Sequence, residues 1–153
     1  RGRHGIAGEI GHTTMDEFGS VCRCGNRGCL ETLVAARTVI NLLEPVRGHD
    51  LTISDIVRWA QEGDVACARV LADTGRHVGV ALANICNVFN PERIIVGGGA
   101  IAAGELLLGP ARRAVEEQAM PSLRDVVEIV PARFGSDAGL LGAASLAFEE
   151  FPA

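Results

Sequence analysis

One histidine and three cysteines lie close together near the start of the chain, and side chains of these types bind Zn²⁺ readily. His12 comes first, and Cys22, Cys24 and Cys29 follow within a stretch of eight residues. Three thiolates and one imidazole make a closed tetrahedral Zn²⁺ site, with no coordination position left for a reactive water. Two glycines and an asparagine between Cys24 and Cys29 tolerate positive φ, so the chain can turn the thiols toward one point. We therefore predict a structural zinc knuckle in residues 9–31.

Other interpretations of these cysteines stay open from the sequence. An iron–sulfur cluster normally takes four thiolates, and only three are clustered here. Ordinary buried thiols or a disulfide are the remaining alternatives, although a bond between Cys22 and Cys24 would close an unusually tight ring. Cys67 and Cys86 lie in apolar helical segments, and we predict that both are core residues.

Two glutamates, Glu9 and Glu31, border the knuckle and offer strong hydrogen-bond acceptors to hydroxyl groups. A metal-bound imidazole has a fixed tautomer, so the second ring nitrogen of His12 would be an oriented N–H donor. Hydroxyl-rich ligands such as sugars suit this combination. Carboxylates are usually surface groups, so the alternative is that both glutamates are solvated or simply cap the knuckle.

Composition and charge restrict the class of protein. The 153 residues are 48% apolar and 22% charged, which is typical of a globular protein, and we expect residues 1–153 to form a single domain. The net charge of −5 and the scattered arginines disfavour a nucleic-acid surface, because phosphate binding needs clustered Lys and Arg. We find no signal peptide and no apolar run that predicts a membrane span. A thiolate metal site also suits the reducing cytoplasm.

Apolar periodicity and turn residues predict an α/β layer with helices on a mixed sheet. The predicted helices are residues 30–43 (ended by Pro45 and Gly48), a short helix from a cap at Thr52 or Ser54 to Trp59, residues 64–90, residues 110–119 (opened by Pro110) and residues 139–148 (capped by Asp137). The predicted strands are residues 93–96, which we expect to be buried, and residues 126–130.

The first strand runs into Gly97, Gly98 and Gly99. A glycine turn after a strand lets backbone N–H groups approach a phosphate or a nucleoside closely. The run lacks both the P-loop lysine and the spacing of the dinucleotide-binding motif, so a tight strand-to-helix turn explains it equally well.

These motifs together resemble a known family. Glu9-x-x-His12 and Cys22-x-Cys24-Gly25-x-x-Gly28-Cys29-x-Glu31 are similar to the zinc and sugar signature of the ROK family, which groups sugar-responsive repressors with bacterial sugar kinases. The resemblance extends to residues 90–99 and 135–144. It implies the ribonuclease-H-like (actin-like ATPase/sugar kinase) fold, zinc bound by the same histidine and cysteines, and a hexose or amino sugar held by Glu9, His12 and Glu31.

The resemblance implies one of two functions for the chain, which is expected to be the C-terminal half of a longer protein. The first is the sugar-sensing half of a NagC-type transcriptional regulator, a dimer or tetramer that reaches operator DNA through an upstream winged helix. The second is half of an ATP-dependent, glucokinase-like kinase, in which Gly97–Gly99 lies near adenosine, Mg²⁺ is required and the catalytic base lies upstream. We favour the regulator because residues 22–43, 48–64 and 119–122 look more like repressors. A purely structural zinc protein is a third possibility.

Overall fold

The chain folds into six helices and one pair of parallel strands in the computed structural model, which describes residues 2–124 and 127–150. The helices are α1 (Glu31–Val34), α2 (Ala36–Arg47), α3 (Ile53–Gln61), α4 (Val65–Phe89), α5 (Glu105–Gln118) and α6 (Ala138–Glu150). The strands are β1 (Arg93–Val96) and β2 (Glu128–Pro131), and short 3₁₀ turns occupy Ile10–His12, Gly99–Ala103 and Gly135–Asp137. The predicted α/β class is confirmed. No helix in the described part combines the length and apolarity needed to cross a bilayer.

The strand pair is one β-α-β unit. Ile94 of β1 lies opposite Ile129 of β2, and α5 lies in the crossover that a parallel pair requires. The prediction that β1 is buried is wrong, since Ile95 is 66% exposed. Successive side chains of a strand point to opposite faces, and only the face of Ile94 packs against the core. The second strand starts two residues later than predicted, and Val126 lies outside the described residues.

Helix α4 is the longest element, and both of its ends match the prediction. The Asp64 carboxylate accepts a hydrogen bond from the backbone N–H of Cys67 at 2.9 Å, which caps the first turn. Asn90 ends the helix in the left-handed conformation, with φ of 46°. The helix carries an apolar stripe formed by Leu71, Val78, Leu82, Ile85 and Phe89. The stripe starts with fully buried Leu71 but ends on Phe89, which is 75% exposed. The stripe therefore faces the core over most, but not all, of the helix.

Helices α4 and α5 approach each other closely at two glycines of α4. A Cβ atom added to Gly75 would lie 2.1 Å from the carbonyl oxygen of Leu107, and one added to Gly79 would lie 2.3 Å from that of Ala111. The Gly-x-x-x-Gly spacing on α4 therefore serves a close helix approach, because any larger side chain at either position would push the two helices apart.

The hydrophobic core lies between helices α2 to α5 and the inner face of the strand pair. Cys67 and Cys86 are 0% and 1% exposed, which confirms that they are core residues. Trp59 is half-buried against this core, and the Arg58 guanidinium lies 5.5 Å from its ring centre. The largest fully buried side chains are those of Leu43, Ile56, Leu71, Leu108, Val39 and Val115. Thr52 caps α3 in a capping box with Asp55, as one of the two predicted caps.

Two prolines that we expected at helix ends lie inside helices. Pro45 is within α2, which ends at Arg47 with Gly48 as its C-cap, and Pro110 is the sixth residue of α5, which is capped by Gly104. An interior proline removes one backbone hydrogen bond and costs about 3 kcal/mol. Buried side chains on both sides of Pro110, such as Leu108 and Ala111, offset that cost. The predicted helix 30–43 is also divided, because the backbone is extended at Ala35.

The close approach of α4 and α5 predicts that Gly79→Ala destabilises the protein. The added methyl would meet a backbone carbonyl and the Ala114 side chain at 2.7 Å, and overpacking of this kind costs about 1–3 kcal/mol. Chemical denaturation should show the lower free energy of unfolding.

Gly142→Ala is the matched control, because no atom lies within 4 Å of a Cβ added at this position inside α6. Alanine is the better helix former, so this variant should be as stable as the parent or up to about 1 kcal/mol more stable. Equal destabilisation by both substitutions would contradict the close-approach interpretation.

Candidate functional site

The knuckle is a compact loop built almost entirely from backbone hydrogen bonds. The N–H of Cys22 donates to the carbonyl of Asn26 at 2.7 Å, and the N–H of Gly25 donates back to the carbonyl of Cys22 at 2.9 Å. Gly25 takes a φ of 94°, which an L side chain rarely adopts. The turn therefore brings Cys22 and Cys24 to one side of the loop.

A second glycine decides how the two limbs of the knuckle cross. The N–H of Gly28 donates to Ser20 at 2.8 Å, and its carbonyl accepts from Met15 at 2.7 Å. A Cβ atom on Gly28 would lie 1.5 Å from the carbonyl oxygen of Asp16. No residue with a side chain fits this crossing. Its geometry places Cys29 next to the 3₁₀ turn that carries His12.

The four predicted metal ligands converge. The donor atoms of His12, Cys22, Cys24 and Cys29 all lie within 4.8 Å of one another. Cys22 Sγ is 3.6 Å from His12 Nδ1, and Cys24 Sγ is 3.7 Å from Cys29 Sγ. Zn–S and Zn–N bonds of about 2.3 and 2.0–2.1 Å give tetrahedral edges of about 3.8 and 3.6 Å. The set therefore fits a four-coordinate metal ion, and the remaining distances need to shorten by only about 1 Å.

The same distances bear on the alternatives that the sequence left open. All five cysteines are free, and a disulfide would bring two sulfur atoms to about 2.05 Å. The cluster supplies three thiolates rather than the four of the usual iron–sulfur cluster. A group of three thiols and one imidazole with this spacing is typical of structural zinc sites.

The thiols of the cluster hold their protons unequally. Burial, together with the adjacent Cys24 and Cys22 thiols, raises the pKa of the Cys29 thiol to about 12. A hydrogen bond from the backbone of Asn26 lowers the pKa of the exposed Cys24 thiol. Metal ions bind thiolates, so a metal that enters this site has to displace a proton from Cys29.

Beside the cluster, His12 faces Glu31. His12 Nε2 lies 3.7 Å from Glu31 Oε2, while its Nδ1 is the nitrogen next to Cys22. The two side chains are 26% and 28% exposed, so both remain accessible to a ligand. Glu31 also receives Arg23, whose Nε lies 2.7 Å from Oε1. The imidazole is thus placed between the thiol cluster and a carboxylate.

Glu9 lies at the other end of the short turn that carries His12. Its carbonyl accepts the backbone N–H of His12 at 3.1 Å, and its side chain is exposed and does not cap the turn. The structure therefore brings His12 and Glu31 into contact and places Glu9 on the adjacent turn. That Glu9 contacts a ligand stays a prediction.

Sequence reasoning missed Arg23. The residue lies between two cysteines, and its partner is eight positions away, so no helical or strand spacing indicates an ion pair. Only the fold of the loop brings the guanidinium to Glu31. Both side chains line a groove of about 470 Å³ whose other polar residues are Ser20, Thr32, Arg37, Thr38 and Asn41.

The glycine run after β1 lines a separate cleft of about 230 Å³. Gly97, Gly98 and Gly99 form one wall, and the remaining described lining is apolar apart from Thr74, whose hydroxyl donates to the Val70 carbonyl at 2.8 Å. Val34, the last residue of α1, also lines the cleft, while Glu31 is the first. The two candidate sites therefore lie at opposite ends of one helical turn.

Comparison with known proteins connects these features. Residues 1–150 match the family model described as the ROK family. The glucokinase of Halalkalibacterium halodurans is 36% identical over 92% of this chain and 47% of the relative. The DNA-binding transcriptional dual regulator NagC of Escherichia coli is 36% identical over 84% of this chain and 34% of the relative. The chain thus spans between a third and half of the length of these curated relatives, and a kinase and a regulator match it equally well.

A solved structure gives the same result at the level of the fold. The crystal structure of a ROK family glucokinase from Streptomyces griseus, in complex with glucose and AMPPNP, has a TM-score of 0.83. It is 29% identical, and the match covers 95% of this chain and 52% of that one. The likeness supports the expected sugar-kinase type of α/β fold.

The converged donor set predicts that Cys24→Ser removes bound metal. Cys24 is exposed, so the substitution changes no core packing, and the lost thiolate should lower bound zinc to well below one ion per chain. Elemental analysis of the purified protein measures this. Cys86→Ala, in the core and outside the cluster, should be less stable yet keep its zinc. Unchanged zinc in the Cys24 variant would refute the site.

The crossing at Gly28 predicts a second difference. Gly28→Ala should open the knuckle, because the methyl group collides with the Asp16 carbonyl in addition to the cost of positive φ, about 1–2 kcal/mol. Gly25→Ala has a similar φ cost but no atom within 4 Å of the methyl group. Zinc content and thermal melting should fall sharply in the first variant and slightly in the second. Equal losses in the two variants would show that the cost of positive φ, and not the collision with the Asp16 carbonyl, destabilises the knuckle.

Proposed function

The chain belongs to the ROK family, and on that premise we propose that it is the zinc-stabilised, sugar-sensing half of a NagC-like transcriptional regulator. One observation supports sugar binding most directly: the His12 ring has one nitrogen toward the thiol cluster and the other toward Glu31. An imidazole held in this way presents an N–H and an adjacent carboxylate to a hydroxyl-bearing ligand. A hexose or amino sugar has that chemistry.

Zinc would have a structural role in this proposal. His12, Cys22, Cys24 and Cys29 would hold it, and four protein ligands leave no open position for chemistry on a bound water. The ion would fix the tautomer of His12 and restrict the ring to one orientation. The backbone of the knuckle would then be fixed before the ligand binds. Less conformational entropy is lost on binding, which favours the affinity for a neutral ligand.

Glu9, His12 and Glu31 would share the sugar hydroxyls. A carboxylate accepts hydrogen bonds from two hydroxyls at once, and the His12 N–H donates to a hydroxyl oxygen. Hydrogen bonds to charged groups contribute about 1.5–3 kcal/mol each. The carboxylate of Glu9 is exposed and that of Glu31 is partly exposed and paired with Arg23, so both remain available for such bonds without burying an unpaired charge.

Regulation would follow from a difference in sugar affinity between two arrangements of the whole protein. A ligand shifts an equilibrium only by its differential affinity for the two states. Operator DNA would contact another part of the protein, since this segment has a net charge of −5 and phosphate contacts need clustered cations. A homo-oligomer in the cytoplasm completes the proposal.

The second candidate function is half of an ATP-dependent sugar kinase. The Gly97–Gly99 turn favours it, because these glycines line a cleft next to α1 and a glycine turn lets backbone N–H groups approach a phosphate. Phosphoryl transfer also needs Mg²⁺, groups that neutralise phosphate and a residue that positions the hydroxyl. The described lining of this cleft offers no charged side chain. We therefore rank the kinase second.

Substitution of the two carboxylates tests the proposed sugar site. Glu31→Gln and Glu9→Gln should each weaken binding of D-glucose or N-acetyl-D-glucosamine by about tenfold or more, the loss of one charged hydrogen bond. Titration calorimetry on the zinc-loaded protein measures the affinity. Glu17→Gln, an exposed acid of the same knuckle, is the control and should bind like the parent.

Two further measurements complete this test. Zinc content should stay at the parental value in all three variants, so that a lost affinity reports on the sugar. When the test uses the whole protein that carries this segment, glucose with Mg-ATP should yield no ADP, and steady ADP release would replace the regulator with the kinase. A parent protein that binds neither sugar would defeat the proposed site.

A further inference from the structure

Arg23 forms a forked ion pair with Glu31. Its Nε lies 2.7 Å from Oε1 and its Nη2 lies 3.3 Å from Oε2, so each carboxylate oxygen has one guanidinium partner. The Arg23 side chain is 78% exposed and reaches over the surface to Glu31, which is 28% exposed. A planar guanidinium that meets a carboxylate in this way determines its orientation as well as its charge.

Both ends of this ion pair are attached to the thiol cluster. Arg23 lies between the ligands Cys22 and Cys24, in the turn closed by the Cys22–Asn26 hydrogen bond. Glu31 follows Cys29 by two residues and opens α1. A metal ion that binds these cysteines would therefore restrict the backbone on both sides of the pair.

The pair leaves acceptor capacity on Glu31. An ionised carboxylate has about four lone-pair positions, and a forked arginine occupies one on each oxygen. The remaining two diverge from the guanidinium, and Oε2 lies 3.7 Å from His12 Nε2. Glu31 held in this plane can accept hydrogen bonds from two neighbouring hydroxyls beside the His12 ring.

We propose that Arg23 is the positioning residue for Glu31, and that through it a metal ion in the thiol cluster sets the orientation of the carboxylate toward two adjacent hydroxyls of the ligand. Arg23 itself touches no sugar in this scheme. The inference rests on the proposed sugar site and adds to it: the metal would act on sugar affinity by two routes, through the His12 ring and through the Arg23–Glu31 pair.

A double-mutant cycle of Arg23→Ala and Glu31→Gln tests the coupling. Exposed ion pairs contribute modestly, so Arg23→Ala should weaken binding of D-glucose or N-acetyl-D-glucosamine by about threefold to fivefold, with unchanged zinc content. In the Glu31→Gln background the same substitution should have no further effect. Arg23→Lys keeps the charge but loses the fork, so its affinity should lie between those of the parent and the alanine variant.

Arg27→Ala is the control from the same loop, because Arg27 donates to the Gly19 carbonyl at 3.4 Å and not to Glu31. It should bind sugar like the parent. Equal losses in Arg27→Ala and Arg23→Ala, or an undiminished loss in the Glu31→Gln background, would overturn the inference and leave the sugar site intact. If Glu31→Gln binds sugar too weakly for its affinity to be measured, the ranking of the other affinities decides. The parent should bind most tightly, Arg23→Lys less tightly and Arg23→Ala least tightly. Absence of sugar binding by the parent would overturn both proposals.

Discussion

The convergence of three thiols and one imidazole on a single point is the constraint from which the rest of the site follows. Residues 9–31 contribute almost no side chain to the hydrophobic core apart from Cys22, Cys29 and Leu30. A loop with so little apolar burial has few other means of resisting its conformational entropy. The geometry at Gly28 and the short hydrogen bonds of the 22–26 turn bring the donors within reach of one ion. The orientations of His12 and Glu31 depend on that arrangement.

The helical layer provides the rigid support for this loop. Helices α4 and α5 approach closely at Gly75 and Gly79, and each helix is followed along the chain by one of the two parallel strands. The first turn after the knuckle, α1, carries Glu31 at one end and Val34 at the other. A ligand beside the knuckle and a ligand beside Gly97–Gly99 would therefore act on the same four residues.

Local rules failed where burial outweighed them. The prolines at 45 and 110 are helix breakers by intrinsic preference, yet α2 and α5 continue past them. Buried residues on both sides of Pro110 hold α5 in place, whereas the buried residues of α2, Val39 and Leu43, both precede Pro45. The strand Arg93–Val96 reads as fully buried because it is apolar, whereas Ile95 is exposed. The described sheet has two strands, and only one of its faces meets the core. Apolar composition alone does not say how many neighbours a strand has.

Residue types and spacing determined the four candidate metal ligands of the knuckle, the α/β class, the caps at Thr52 and Asp64, and the end of α4 at Asn90. Each of these depends on groups close in sequence or on the donor chemistry of the side chain itself. The tertiary structure decided the Arg23–Glu31 pair, the contact of His12 with Glu31, and the break between α1 and α2. The two side-chain contacts join groups that are distant in sequence, so they exist only once the loop has closed and its two segments have crossed. The break lies at Ala35, where the backbone is extended although alanine is a good helix former.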